Sequence, residues 1–149
     1  MKKLSAFLIV VFCIISCSNP DDFGLESTEF MYSTQKWELI RMTGAFVGSE
    51  TKGEAMDWQE YYLFSPEGTF VKSRTKDDLV VEASGTFEVV EYETDTAHSL
   101  ELTYETGEGL VGNCTGDNKE ILMYRSASEI TNTWMACDGP GLDYELVKN

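Results

Sequence analysis

The chain has 149 residues, with 11 lysines and arginines against 26 aspartates and glutamates and a formal charge of −15. That balance excludes nucleic acid as a partner, because phosphate backbones are bound by clustered basic side chains and here they are scattered singly. It also argues against a face that lies flat on anionic lipid, and the length suits one compact domain.

Met1-Lys2-Lys3 is a short basic start, and Leu4 to Ile15 carries no charge and is mostly apolar, which is the layout of a secretory signal. A membrane-spanning helix needs about 20 apolar residues, which this run does not reach, and Ser18 to Ser33 is too polar to extend it. At its end, Ile14-Ile15-Ser16-Cys17 resembles the lipobox of bacterial lipoproteins. The resemblance implies lipidation of Cys17, cleavage before it and acylation of the new N-terminus, giving a membrane anchor of several acyl chains. The expected organisation is a signal peptide over 1–16, a lipidated tether over 17–33 and a folded domain over 34–149. Ser18, rather than an aspartate, follows Cys17, which favours the outer membrane, and Asp21-Asp22 resembles the acidic tags of surface-exported lipoproteins. Periplasmic face and cell surface both stay open.

Loss of the signal removes Lys2 and Lys3 and no acid, leaving 9 basic side chains against 26 acidic ones and a formal charge of −17. It also removes Cys13. With Cys17 lipidated, Cys114 and Cys137 are the remaining thiols in an oxidising compartment and are expected to form a disulfide.

From Trp37 onward the apolar residues recur with period two in short segments separated by Gly, Asp and Ser, the signature of an all-β domain. In chain order the predicted strands are 35–42, 59–64, 69–75, 79–83, 86–92, 99–105, 120–126 and 129–136, with 142–148 as a final or closing strand. This is an antiparallel meander of about eight strands. Leu100, Leu102 and Tyr104 alternate with Glu101, Thr103 and Glu105, which marks one buried face. Ser65-Pro66-Glu67-Gly68 suits a tight hairpin with Gly68 at positive φ, and Asp138-Gly139-Pro140-Gly141 is a second reversal. Thr43 to Trp58 and Thr106 to Lys119 are longer, acidic, glycine-bearing loops, the kind that often carry function on a β scaffold.

The order of features resembles the lipocalin-like domains of small Gram-negative lipoproteins. A tryptophan in the first strand (Lys36-Trp37-Glu38-Leu39) is followed by a long loop, the hairpin Tyr62-Leu63-Phe64-Ser65-Pro66-Glu67-Gly68-Thr69-Phe70, then Gly85-Thr86-Phe87-Glu88-Val89 and further meander strands. The likeness covers about residues 35 to 148. Gln35 stands where lipocalins carry a glycine, and the late helix of that family is missing. A small barrel and a flattened sandwich are both compatible with it.

Catalytic chemistry is poorly supplied. His98 is the only histidine and lies in a polar stretch that reads as an exposed turn, so no Ser-His-Asp or Cys-His set can be assembled and zinc ligands of His and Cys type are lacking. Asp77-Asp78 is an adjacent acidic pair of the kind expected by chance in so acidic a chain, and the oxygens around Asp117 and Asn118 lack the ligand spacing of a calcium motif. No metal and no cofactor is expected, and the domain reads as non-enzymatic. A binding protein needs a concave apolar wall with a few polar fixtures. Strict alternation puts Trp37, Leu39 and Arg41 on one face, sets Phe64 opposite Phe70, and groups Ile130, Asn132 and Trp134. Trp37, Arg41, Phe64, Phe70, Tyr104, Asn132 and Trp134 are therefore the candidate pocket for a small apolar or amphipathic ligand, with Arg41 as counter-charge. The competing readings are that these aromatics fill a small barrel, and that the long acidic loops bind another protein at the cell surface.

Overall fold

The computed structural model describes residues 33–91 and 98–148. The signal, Cys17 and nearly all of the tether therefore lie outside the described residues.

Eight antiparallel strands follow one another around a closed barrel: β1 (Gln35–Thr43), β2 (Gln59–Phe64), β3 (Thr69–Lys76), β4 (Leu79–Glu91), β5 (His98–Thr106), β6 (Lys119–Ser126), β7 (Glu129–Asn132) and β8 (Gly141–Leu146). β8 returns to pair with β1, Trp37 opposite Leu146 and Met42 opposite Leu142, so the sheet closes on itself. The all-β meander expected from the sequence is thus a barrel, and the sandwich alternative falls away. Period-two alternation does the sorting: Glu60, Tyr62 and Phe64 of β2 are buried while Tyr61 and Leu63 between them are only half-buried, and Leu100, Leu102 and Tyr104 of β5 point inward as expected.

Three local features depart from strict alternation, and each has a backbone cause. The predicted strands 79–83 and 86–92 are one 13-residue strand, β4, with a register shift against β5 between Ser84 and Gly85. A side chain at Gly85 would place its Cβ 2.0 Å from the Thr103 carbonyl oxygen, so glycine is what lets the two strands approach at the bend. Merging these segments makes 142–148 the eighth strand rather than a ninth. The predicted strand 129–136 stops at Asn132, and Trp134–Cys137 forms a single 3-10 turn instead. In β1 a register shift between Leu39 and Arg41 adds one residue, so that Met42 is buried and Arg41 turns outward.

Turn chemistry follows expectation at Gly68 (φ +78°), whose N–H donates to Ser65 O at 3.0 Å. Asp77 and Asp78, met in the sequence only as adjacent acids, form the β3–β4 hairpin turn with both residues at positive φ, +50° and +63°. That backbone favours Asn, Asp and Gly.

Antiparallel order gives the barrel two unlike ends. One end holds the start of β1 at Gln35, the short reversals 65–68 and 127–128, and the end of β8 at Leu146. The other holds the long connections 44–58, 107–118 and 133–140 and the Asp77-Asp78 turn. Cys114 and Cys137, from the last two long connections, are joined by the expected disulfide, with Cα atoms 5.6 Å apart.

Side chains occupy the interior from end to end. Trp37, Tyr62, Phe64, Phe70 and Tyr144 are essentially inaccessible, with ring centroids 5.1 Å apart for Tyr62 and Tyr144 and 4.9 Å for both Phe64–Phe87 and Phe70–Tyr104. Eight strands enclose about the width that side chains can fill. Among the rings of the candidate pocket, Trp37, Phe64, Phe70 and Tyr104 are therefore core.

Replacing Gly85 with alanine should destabilise the barrel by about 1–3 kcal/mol through backbone displacement, measured as a lowered urea midpoint. Removing the 23-residue disulfide loop closure by changing Cys114 and Cys137 to alanine should cost roughly 3 kcal/mol by the chain-entropy account, with the β strands otherwise intact by circular dichroism.

Candidate functional site

Charge inside the barrel is the feature that sequence reasoning missed. Lys72 of β3 has a fully buried side chain; its ammonium donates to the Leu110 carbonyl at 2.8 Å, lies 3.1 Å from Glu120 Oε2 and 3.4 Å from Glu60 Oε1. Arg74 Nε donates to Glu60 Oε2 at 2.5 Å, and its guanidinium stacks 4.3 Å from the Trp58 ring. The Tyr104 hydroxyl donates to Glu120 Oε2, and the Tyr144 hydroxyl donates to Glu60 Oε1 at 2.5 Å. Two cations meet two carboxylates, so the cluster is formally neutral. A signal for it exists in the sequence: Glu60 shares a strand face with Tyr62 and Phe64, and Lys72 and Arg74 share one with Phe70.

Burial is the main reason that the hydroxyls of Tyr62, Tyr104 and Tyr144 are held well above their ordinary titration range, with the Glu60 and Glu120 charges adding to it. They stay protonated, and those of Tyr104 and Tyr144 donate to Glu120 and Glu60. The roof of this cluster is built by the long loops. Leu110, in the 3-10 turn Glu108–Leu110, and Met56 are buried and cap the barrel above Lys72.

The remaining candidate residues are dispersed. Arg41, expected as the internal counter-charge, lies outside the barrel: its Nε donates to Asp143 Oδ2 at 2.7 Å, with Glu50 and Glu129 within 4 Å, and the hydrogen bond to Asp143 holds it charged. The added residue at the β1 register shift is the cause. Asn132 is buried as expected, but its amide is spent on the chain, donating to Pro140 O and accepting from Leu142 N–H. Trp134 leaves the Ile130 face because its backbone is a 3-10 turn, and it packs over Gly112 and Gly139. His98 is the first residue of β5 and is largely buried, near Glu91, not an exposed turn. The Asp117 carboxylate is engaged by Asn113, Thr115 and the Lys119 N–H. Among the described residues no group of three His, Cys, Asp or Glu side chains is placed to hold a metal, and no helix is long and apolar enough to cross a membrane.

Two surfaces are open to partners. On the outer wall, a groove of about 380 Å³ runs between β4, β5 and β6 and the disulfide-bearing loop, lined by residues that include Thr86, Glu88, Thr103, Ile121 and Asp117. At the loop-bearing end, Phe46 (74% exposed) and Val47 (fully exposed), together with Leu79, Val80, Val81 and Met135, present apolar side chains to solvent.

Comparison with family models, curated proteins and solved structures finds no match for this chain.

Removing Lys72 alone, as Lys72→Met, leaves two carboxylates short of a cation and should cost about 3–5 kcal/mol, whereas Lys72→Met combined with Glu120→Gln should recover part of that loss in a double-mutant cycle. For the tyrosines the sign is fixed by the upward shift. The folded state holds protons that the unfolded chain releases near pH 10, so their contribution is complete below that pH and is lost as pH rises above it. Phenolate absorbance should show at least three tyrosines ionising only as the barrel unfolds in alkali.

Proposed function

We propose that this chain is an exported lipoprotein, fixed to the outer membrane by acyl chains on Cys17, whose barrel is a non-catalytic module that binds another protein through its loop-bearing end. The anchor rests on the sequence from Met1 to Cys17. The binding end rests on one structural observation: β1 starts at Gln35 on one end of the barrel, while the long loops and the exposed side chains of Phe46, Val47 and Met135 lie at the other. An attachment at the first end leaves the second facing away from the membrane. Clustered exposed apolar side chains are the usual mark of a contact surface.

A catalytic role has less support, because the titratable cluster that might do acid–base work is buried and its members bond to one another. A second reading, a small apolar or amphipathic ligand as in the lipocalin-like resemblance, is favoured by the outer groove. Inside the barrel such a ligand would have to displace Tyr62, Lys72 and Glu120, which are buried to the last few per cent.

Metabolic labelling with a fatty acid should mark the native chain and not its Cys17→Ser variant; equal labelling of both would overturn the anchor. Crosslinking on intact cells should recover one defined protein, lost when residues 44–58 are shortened. Native mass spectrometry with lipid extracts decides the second reading, since a retained lipid that is lost in Ile121→Trp, which fills the groove, would favour a ligand site there.

A further inference from the structure

The β3–β4 hairpin overshoots the barrel. β5 ends at Thr106, just opposite Ser84, whereas β4 begins at Leu79, so Leu79–Glu82 pair with Lys76–Ser73 on one side and, among the described residues, with no strand on the other. The Phe87 N–H donates to Gly68 O at 2.9 Å, which sets the odd-numbered residues of β4 as those that bond toward β3. The β3–β4 register is unbroken above that point, so antiparallel alternation turns the N–H and C=O of Val80 and Glu82 away from β3. Gly107 packs against the Glu82 carbonyl, which leaves both groups of Val80 and the N–H of Glu82 facing the open side. Ser84 obeys the same rule, its N–H reaching Thr106 Oγ1 at 3.1 Å.

Leu79, Val80 and Val81 along this edge are 71%, 61% and 51% exposed. Consecutive exposed aliphatics on an unpaired edge form a template for one more strand, which proteins normally cover or charge. The charge here has one sign. Asp77, Asp78 and Glu82 on the hairpin, and Glu105 and Glu108 where β5 gives way to the next loop, are all exposed. Arg74, on the neighbouring strand, is committed to Glu60, and Lys76 Nζ lies 6.0 Å from the Trp58 ring. A second copy of the chain would bring two such acidic clusters together, whereas a basic segment neutralises them.

We propose that the Leu79–Glu82 edge receives an extended, lysine- or arginine-bearing segment of a partner protein as an added strand. Main-chain bonds to Val80 and to the Glu82 N–H hold it, aliphatic side chains cover Leu79 to Val81, and its basic side chains meet Asp77, Asp78, Glu82 and Glu105. This deepens the reading of the loop-bearing end as the contact end and rests on it.

The test titrates the full chain in detergent with a short acetylated peptide alternating valine and lysine, followed by amide NMR shifts, with the same peptide carrying glutamate for lysine as control. Saturable shifts confined to residues 78–84 and 105–108, weakened by salt and absent with the glutamate peptide, are expected. Val80→Pro removes an outward N–H without breaking a bond to β3 and should weaken binding about tenfold or more. Glu82→Lys with Glu105→Lys, at exposed strand positions outside the turn, should abolish it, and it tests the charge even if the proline variant fails to fold. No binding, binding by both peptides alike, or a concentration-dependent dimer of the chain would overturn the edge proposal. So would shifts confined to residues 44–58 or 133–140, although these would leave the loop-bearing end standing as a contact surface. Loss of the intact-cell crosslink on shortening 44–58 tests that broader reading separately.

Discussion

The interior of the loop-bearing half of this barrel is organised around one ammonium group. Lys72 sits where four elements converge: β2 supplies Glu60, β6 supplies Glu120, the loop after β5 supplies the Leu110 carbonyl, and β3 supplies the lysine itself. An ion taken out of water is costly unless nearly all of its hydrogen-bonding capacity is met. The protein meets it with two carboxylates and a carbonyl, and then must satisfy the carboxylates in turn, which it does with Arg74, Tyr104 and Tyr144. The requirement propagates outward: because Leu110 must be present to accept from Lys72, the acidic loop after β5 is drawn over the barrel mouth, and its far end is fixed by the disulfide.

That chain of obligations explains why this eight-stranded barrel has so little room inside. The lower half is closed by contacts between aromatic rings and the upper half by ion pairs, so the interior specifies the fold and is not left as a vessel. On the outside, acidic loops and a few exposed aliphatics meet solvent.

The strand order was legible because period-two patterning survives wherever a strand has one wet and one dry face, as in Leu100, Leu102 and Tyr104. The disulfide was legible from counting thiols. What escaped was local. The extra residue in β1 between Leu39 and Arg41 reverses the face of everything after it, so Arg41 leaves the interior, and nothing in the residue types of Leu39-Ile40-Arg41 marks the shift. Trp134 left its expected face because the chain tightens into a 3-10 turn next to a disulfide cysteine, a tertiary demand. The buried cluster was missed for a different reason: Glu60, Lys72 and Glu120 occupy inward positions by plain alternation, but charged residues are discounted as core, and only their mutual proximity in the closed barrel makes burial tolerable.

The placement of β1 has a mechanical consequence. β1 starts at one end of the barrel and lies between β2 and β8, with its hydrogen bonds running perpendicular to its length. A pull between Gln35 and the opposite end acts along the strands, so those bonds on both flanks of β1 are loaded in shear and must give way together. The same force applied across the strands would open them one at a time. A force applied between Gln35 and the far loops is thus directed along the line in which a β barrel resists best.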